Sequence, residues 1–99
     1  IGLGVTGLAD ALMMLGLRYG SEEAAGWTRD VLRRVAQAAY LASADLAAEK
    51  GAFPLLDRDA FLASDMMRRM DDDVRDAVAA KGIRNALLTS IAPTGTISL

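Results

Sequence analysis

Ala86-Leu87-Leu88-Thr89-Ser90-Ile91-Ala92-Pro93-Thr94-Gly95-Thr96-Ile97-Ser98-Leu99 closes the chain and carries its sharpest change of pattern. The run from Ala86 to Ile91 has the length and apolar, β-branched content of a strand. Pro93 then fixes φ and removes a backbone donor, Gly95 permits positive φ, and Thr94, Thr96 and Ser98 set hydroxyls at alternate positions. The stretch reads as a strand, a turn and the start of a helix. If a helix opens near Thr96, its first N–H groups lack intrahelical partners and carry the positive end of the dipole, so an anion such as phosphate fits there. An ordinary Pro-Gly turn with a threonine N-cap accounts for the same residues. On chemistry alone that plainer reading leads, because short turns of this composition are common and most hold nothing.

Working outward, the composition bounds what the turn belongs to. Ninety-nine residues make one small domain at most, and an apolar fraction of 53% with only five aromatic residues builds a core from Ala, Leu, Val and Met. Such a core favours closely packed helices. The net charge is −2 with eleven basic residues spread along the chain, so no basic patch argues for nucleic-acid binding. The absence of Cys and His excludes disulfide, thiol and imidazole chemistry within these residues and leaves only carboxylates for a metal. No apolar stretch approaches the ~20 residues of a membrane span, and no secretory leader pattern opens the sequence, so a soluble cytoplasmic setting is expected. A first residue other than Met and an apolar Leu99 read as a piece of something larger.

Gly2, Gly4 and Gly7 spell G-x-G-x-x-G, the fingerprint of dinucleotide binding. That motif has meaning only after a strand and inside a βαβ unit, and no strand is visible upstream. The glycines read instead as close-packing positions of a helix from about Val5 to Leu15, stopped by Gly16, with Leu8, Leu12 and Leu15 on its buried side. Ser21 followed by Glu22 and Glu23 is a strong helix start, and Gly51 ends that helix after Lys50. Trp27, Val31, Val35, Ala38, Ala42 and Leu46 recur at helical spacing and predict its buried stripe. At roughly 28 residues it would be about 42 Å long, more than a domain of this size needs. Part of its surface is therefore expected to meet a further neighbour.

After Phe53-Pro54 the sequence predicts a connection with a short helix near Arg58 to Ala63, capped by Asp57. Met66, Met67 and Met70, like Met13 and Met14, read as gap-filling core residues. Asp71-Asp72-Asp73 are consecutive and point in different directions, so they read as the capped, dipole-stabilised start of a helix ending at Lys81 and Gly82, not as a metal cluster. Arg84 would lie about 26 Å from Ala92 along a strand. No Lys or Arg follows it. Anion recognition by the turn would then rest on backbone N–H groups and hydroxyls.

The run Arg84-Asn85-Ala86-Leu87-Leu88-Thr89-Ser90-Ile91-Ala92-Pro93-Thr94-Gly95-Thr96-Ile97-Ser98 resembles the catalytic chain of ribonucleotide reductases, in the form carried by the adenosylcobalamin-dependent (class II) enzymes. Ile1-Gly2-Leu3-Gly4-Val5-Thr6-Gly7-Leu8-Ala9-Asp10 with Leu15-Gly16-Leu17 resembles an earlier segment of the same family, and Glu49-Lys50-Gly51-Ala52-Phe53-Pro54 the stretch between. Residues Leu56 to Asp72 add nothing to the likeness. The resemblance implies a parent enzyme that makes deoxyribonucleotides from ribonucleotides, by a thiyl radical raised through adenosylcobalamin and a reducing cysteine pair. It implies a ten-stranded α/β barrel, of which residues 1–99 are one piece, and assigns Pro93, Thr94, Gly95, Thr96, Ile97 and Ser98 to a substrate-phosphate loop. No catalytic residue and no metal ligand is assigned to this segment, and the cobalamin would bind outside it. The implied partners are the ribonucleotide substrate and the remainder of the barrel, with neither nucleic acid nor membrane.

The expected fold is accordingly mainly α: a long central helix, shorter helices and one C-terminal strand. Outside the barrel, the Leu87 to Ile91 segment is expected either to reorganise or to pair with another copy of the chain. The competing function is an independent helical interaction module with no catalytic role. A nicotinamide-dependent enzyme would need a parallel sheet that the pattern does not provide.

Overall fold

The computed structural model describes residues 1–93 and consists of five helices: α1 (Leu8–Met14), α2 (Glu22–Lys50), α3 (Arg58–Leu62), α4 (Asp65–Arg68) and α5 (Asp72–Lys81). Their starts follow local chemistry. The Ser21 hydroxyl accepts the Ala24 N–H at 3.1 Å and donates to the Arg18 carbonyl at 2.6 Å, which opens α2 where the sequence predicts. Asp57 accepts the Ala60 N–H at 3.1 Å at the head of α3. Ser64 accepts the Met67 N–H at 3.3 Å and starts α4, a single turn that the sequence reading left as connection.

Asp71 occupies the N-cap position of α5 but makes no capping bond. Its Oδ1 is taken instead by Arg33, from Nε at 2.9 Å and Nη2 at 2.7 Å. That hydrogen bond, with the charge of Asp71, raises the Arg33 pKa above the ordinary arginine value. Gln37 donates to Asp73 at 2.7 Å and Lys81 pairs with Asp45 at 2.7 Å. The pairings advance together along both helices, so α2 and α5 run in the same direction. Among the described residues no group of carboxylates is placed to hold a metal ion.

The core lies between α2, α5 and the turns around α3 and α4. Tyr40, Met67, Val74, Val78, Ile83 and Leu88 are buried together, ringed by Leu41, Phe53, Leu56, Phe61, Leu62 and Met70. Met67 thus fills the core as expected and Met70 packs against it, whereas Met13, Met14 and Met66 are exposed. Leu12 of α1 and Ala24 of α2 are also buried, and both line a pocket between the two helices.

Three expectations are corrected. The first helix is shorter than Val5–Leu15: Gly7 takes a left-handed conformation at φ 80°, so helix begins only at Leu8, and Leu8 and Leu15 are exposed while Leu12 alone is buried. Its end is as predicted, with Leu17 N–H on the Leu12 carbonyl and Gly16 N–H on that of Met13.

The second concerns the buried stripe of α2. Over its C-terminal half the helix buries Tyr40, Ser43, Ala44 and Ala47 against α5, nearly opposite the predicted stripe, and Val35 and Leu46 are each 38% exposed. The predicted residues follow the face that meets α1 near the N-terminus, and among the described residues no helix covers that face farther along.

The third is the strand. Among the described residues there is none: the segment predicted as Leu87 to Ile91 holds one parallel bridge, Leu3 to Thr89. Leu3 N–H donates to the Leu88 carbonyl at 2.7 Å and Ser90 N–H donates to the Leu3 carbonyl at 3.0 Å. The pairing stops because its one partner is short and turns into Gly7 and α1. No helix among the described residues is long and apolar enough to cross a membrane.

Candidate functional site

Of the six residues assigned to the phosphate loop, the structure describes Pro93. Thr94, Gly95, Thr96, Ile97 and Ser98 lie outside the described residues. The structure does describe the residues that lead into this stretch, 83–92, and they are held by distant parts of the chain.

This segment starts at the end of α5. Gly82 closes the helix with its N–H on the Val78 carbonyl at 2.8 Å, and Ile83 drops fully into the core. The Ile83 carbonyl accepts the Phe53 N–H at 3.1 Å, tying this point to the Lys-Gly-Ala-Phe-Pro turn after α2. The Arg84 guanidinium donates to the carbonyls of Lys50 at 3.3 Å and Gly51 at 3.1 Å, at the negative end of the α2 dipole. Arg84 thus serves the helix end, consistent with its distance from the turn.

Asn85 is held from the middle of α2. The Ser43 hydroxyl, on a residue 1% exposed, donates to Asn85 Oδ1 at 3.0 Å and accepts the Asn85 N–H at 3.1 Å. The Arg84 N–H reaches the Ser43 carbonyl at 3.1 Å. Leu88 then packs into the core at 4% exposure while Leu87 points outward at 76%.

The last support comes from the start of the chain. Beside the Leu3 bridge, a Cβ on Gly4 would lie 3.1 Å from the Ser90 carbonyl oxygen, so the first segment approaches as closely as it does because that residue is glycine. Gly4 thus serves close contact between extended segments and not helix packing, while Gly7 supplies the left-handed turn into α1. Around the bridge lies an open, mainly apolar groove of about 330 Å³ between Leu3, Val5, Leu32, Val35 and Ile91, with the Thr89 and Ser90 residues at its edge.

Chemically this support can place a loop, and it holds neither thiol nor imidazole nor carboxylate. The chain contains no Cys and no His, and no Lys or Arg follows Arg84. Among the described residues every buried side-chain nitrogen or oxygen has a partner. Sequence reasoning passed over Ser43, and it read Gly4 as a helix-packing position where the structure uses it between extended segments. Ser43 carried a signal: it stands between Ala42 and Ala44 in an alanine-rich stretch, and a hydroxyl placed on a buried helix face must find a partner.

Comparison with known proteins gives three findings. The family model described as ribonucleotide reductase, barrel domain, matches residues 1–99. A vitamin B12-dependent ribonucleoside-diphosphate reductase of Mycobacterium tuberculosis is 46% identical over 99 residues, covering 100% of this chain and 12% of the relative. A protein of the same description from Thermoplasma acidophilum is 38% identical over 101 residues, and a ribonucleoside-diphosphate reductase large subunit of Arabidopsis thaliana is 33% identical over 108 residues, covering 11% and 13% of those relatives. The chain therefore spans about one eighth of the length of the relatives it matches. No solved structure matches it.

Proposed function

We propose a function from one premise: the chain belongs to the ribonucleotide reductase barrel-domain family. Residues 1–99 form part of the catalytic barrel of a reductase that converts ribonucleoside diphosphates to deoxyribonucleotides, and Pro93 to Ser98 supply a loop that holds the substrate's phosphates. The observation that carries this reading is the full-length match to proteins named as vitamin B12-dependent ribonucleoside-diphosphate reductases. The parallel pairing of Leu3 with Thr89 supports the barrel. A parallel pair needs a long crossover, and here all five helices lie between the partners.

In this reading the segment positions and does not react. Phosphate oxygens are met by backbone N–H groups and by the hydroxyls of Thr94, Thr96 and Ser98, with cationic neutralisation coming from elsewhere in the longer protein. Holding a remote, unreacting part of the substrate aligns the ribose and is a recognised source of rate. When bound, cobalamin supplies radical initiation. The described residues do not fit it, offering no His or Cys donor and no unpartnered buried polar atom, so it is assigned elsewhere in the full-length protein.

The test is steady-state kinetics in the full-length reductase carrying this sequence. Thr96→Ala and Gly95→Val are expected to lower kcat/KM for the ribonucleotide by about tenfold or more, since removing one oriented oxyanion donor is typically worth that much. Unchanged nucleotide affinity and turnover in both variants would refute the phosphate-loop assignment.

A further inference from the structure

We propose that Ser43 is a positioning residue that sets the register of the loop-bearing segment, by selecting which of two adjacent leucines enters the core. The inference rests on the phosphate-loop reading for its catalytic consequence, but not for its structural one. Leu87 and Leu88 are chemically identical neighbours, one exposed and one buried. In an extended segment a one-residue slip exchanges the two faces, so Leu87 could fill the place of Leu88 at no loss of apolar contact. Ile83, fully buried, fixes where the segment enters the core, but packing leaves open a one-residue bulge between Ile83 and the leucines. The opposite slip would bury Thr89 and is disfavoured by its hydroxyl.

The bonds at Asn85 remove the ambiguity. A helical hydroxyl ordinarily returns to a carbonyl one turn back, as Thr28 does to Ala24 at 2.8 Å. Ser43 instead spends both donor and acceptor on Asn85, at 3.0 and 3.1 Å, and its carbonyl takes the Arg84 amide at 3.1 Å. The bond to Oδ1 specifies one residue, since Ala86 has no side-chain acceptor and the Arg84 guanidinium only donates, while the two N–H bonds, which any residue could offer, hold the backbone at that position. A slip of one position would carry Pro93 and the loop after it by about 3.3 Å, beyond the reach of a hydrogen bond aimed at a fixed phosphate.

The experiment uses the full-length reductase with Ser43→Ala, Leu87→Thr, their combination, and Thr96→Ala. Leu87→Thr alone changes a side chain that points away from this core, and it sets the level of turnover and exchange against which the combination is read. Ser43→Ala is expected to speed hydrogen exchange over residues 86–91 and to lower kcat/KM by roughly tenfold or more, as misplacement of an aligned group does. Adding Leu87→Thr makes the slipped register bury a hydroxyl, so it restores both readouts. A merely structural serine would lower the melting temperature without that rescue. Unchanged exchange in Ser43→Ala, or loss of activity that Leu87→Thr fails to restore, overturns the proposal. Thr96→Ala separates the two readings: if it leaves kcat/KM unchanged the phosphate loop is wrong, while exchange over residues 86–91 still decides the register.

Discussion

Tyr40 shows how one buried polar group ties stability to pH. Its ring lies in the core and its hydroxyl donates to the Met66 sulfur at 3.1 Å, a weak acceptor. Burial raises the phenol pKa above the ordinary value of 10.0, because the phenolate would lose its hydration. With the folded pKa above the unfolded one, the folded state retains a proton that the unfolded state releases. The contribution is therefore complete below about pH 10 and is lost as pH rises from there through the folded pKa. Urea unfolding at a series of pH values should show a midpoint that is flat through neutrality and falls above about pH 10. Tyr40→Phe should remove that part of the fall and cost no more than about 1 kcal/mol at pH 7. An unaltered alkaline fall in the variant would show that other groups set it. At this scale the sequence was legible for Leu12 and Met67. It was misleading for Met13, Met14, Leu8 and Leu15, whose apolar character says nothing about whether another element arrives to cover them.

At the scale of elements, the helix ends were the most legible features because their signals are local. Ser21, Asp57, Gly51 and Gly82 stand where the backbone needs them. Gly51 at φ 89°, ψ 154° and Gly82 at φ 77°, ψ −163° occupy a region open essentially to glycine alone. Gly51→Ala meets nothing near its Cβ and should cost about 1–3 kcal/mol from backbone strain alone. Gly82→Ala adds a Cβ at 3.0 Å from Arg58 Nη2 and 3.3 Å from Ala52 Cβ, and should cost more. It also disturbs the Arg58 bond to the Ala79 carbonyl at the end of α5. Equal losses for the two variants in thermal unfolding would contradict the crowding argument. What could not be read was which face of α2 meets which partner. The apolar spacing from Trp27 to Leu46 is continuous, yet α1 covers only its beginning, and α5 packs on a different face through residues as small as Ala44 and Ala47. The α4 turn is too short for periodicity to reveal. The strand failed for a related reason: its residues have strand character, but a strand exists only as far as its neighbour runs, and Leu3 offers one residue of pairing.

Taken whole, the 99 residues expose apolar side chains that a closed domain would cover, among them Ile1, Leu3, Val5, Leu87 and Ile91 around one edge and Val35 and Leu46 along α2. Leu3, Val5, Val35 and Ile91 line the apolar groove, so they form one patch beside a short parallel pairing. Patches of this kind, next to backbone able to accept a further strand, drive association. Prepared as these 99 residues, the chain should show an average mass by light scattering that rises with concentration between about 10 µM and 1 mM. Leu87 and Ile91 are 76% and 83% exposed, so the double change Leu87→Lys, Ile91→Lys should leave the helical circular dichroism intact while suppressing association. The sign should reverse in the full-length reductase. If the barrel covers this edge, the same lysines must be buried without partners, and the melting temperature should drop. A monodisperse monomer across that concentration range would sink the association argument, and lysines tolerated in the full-length protein would mean that the edge faces solvent there as well.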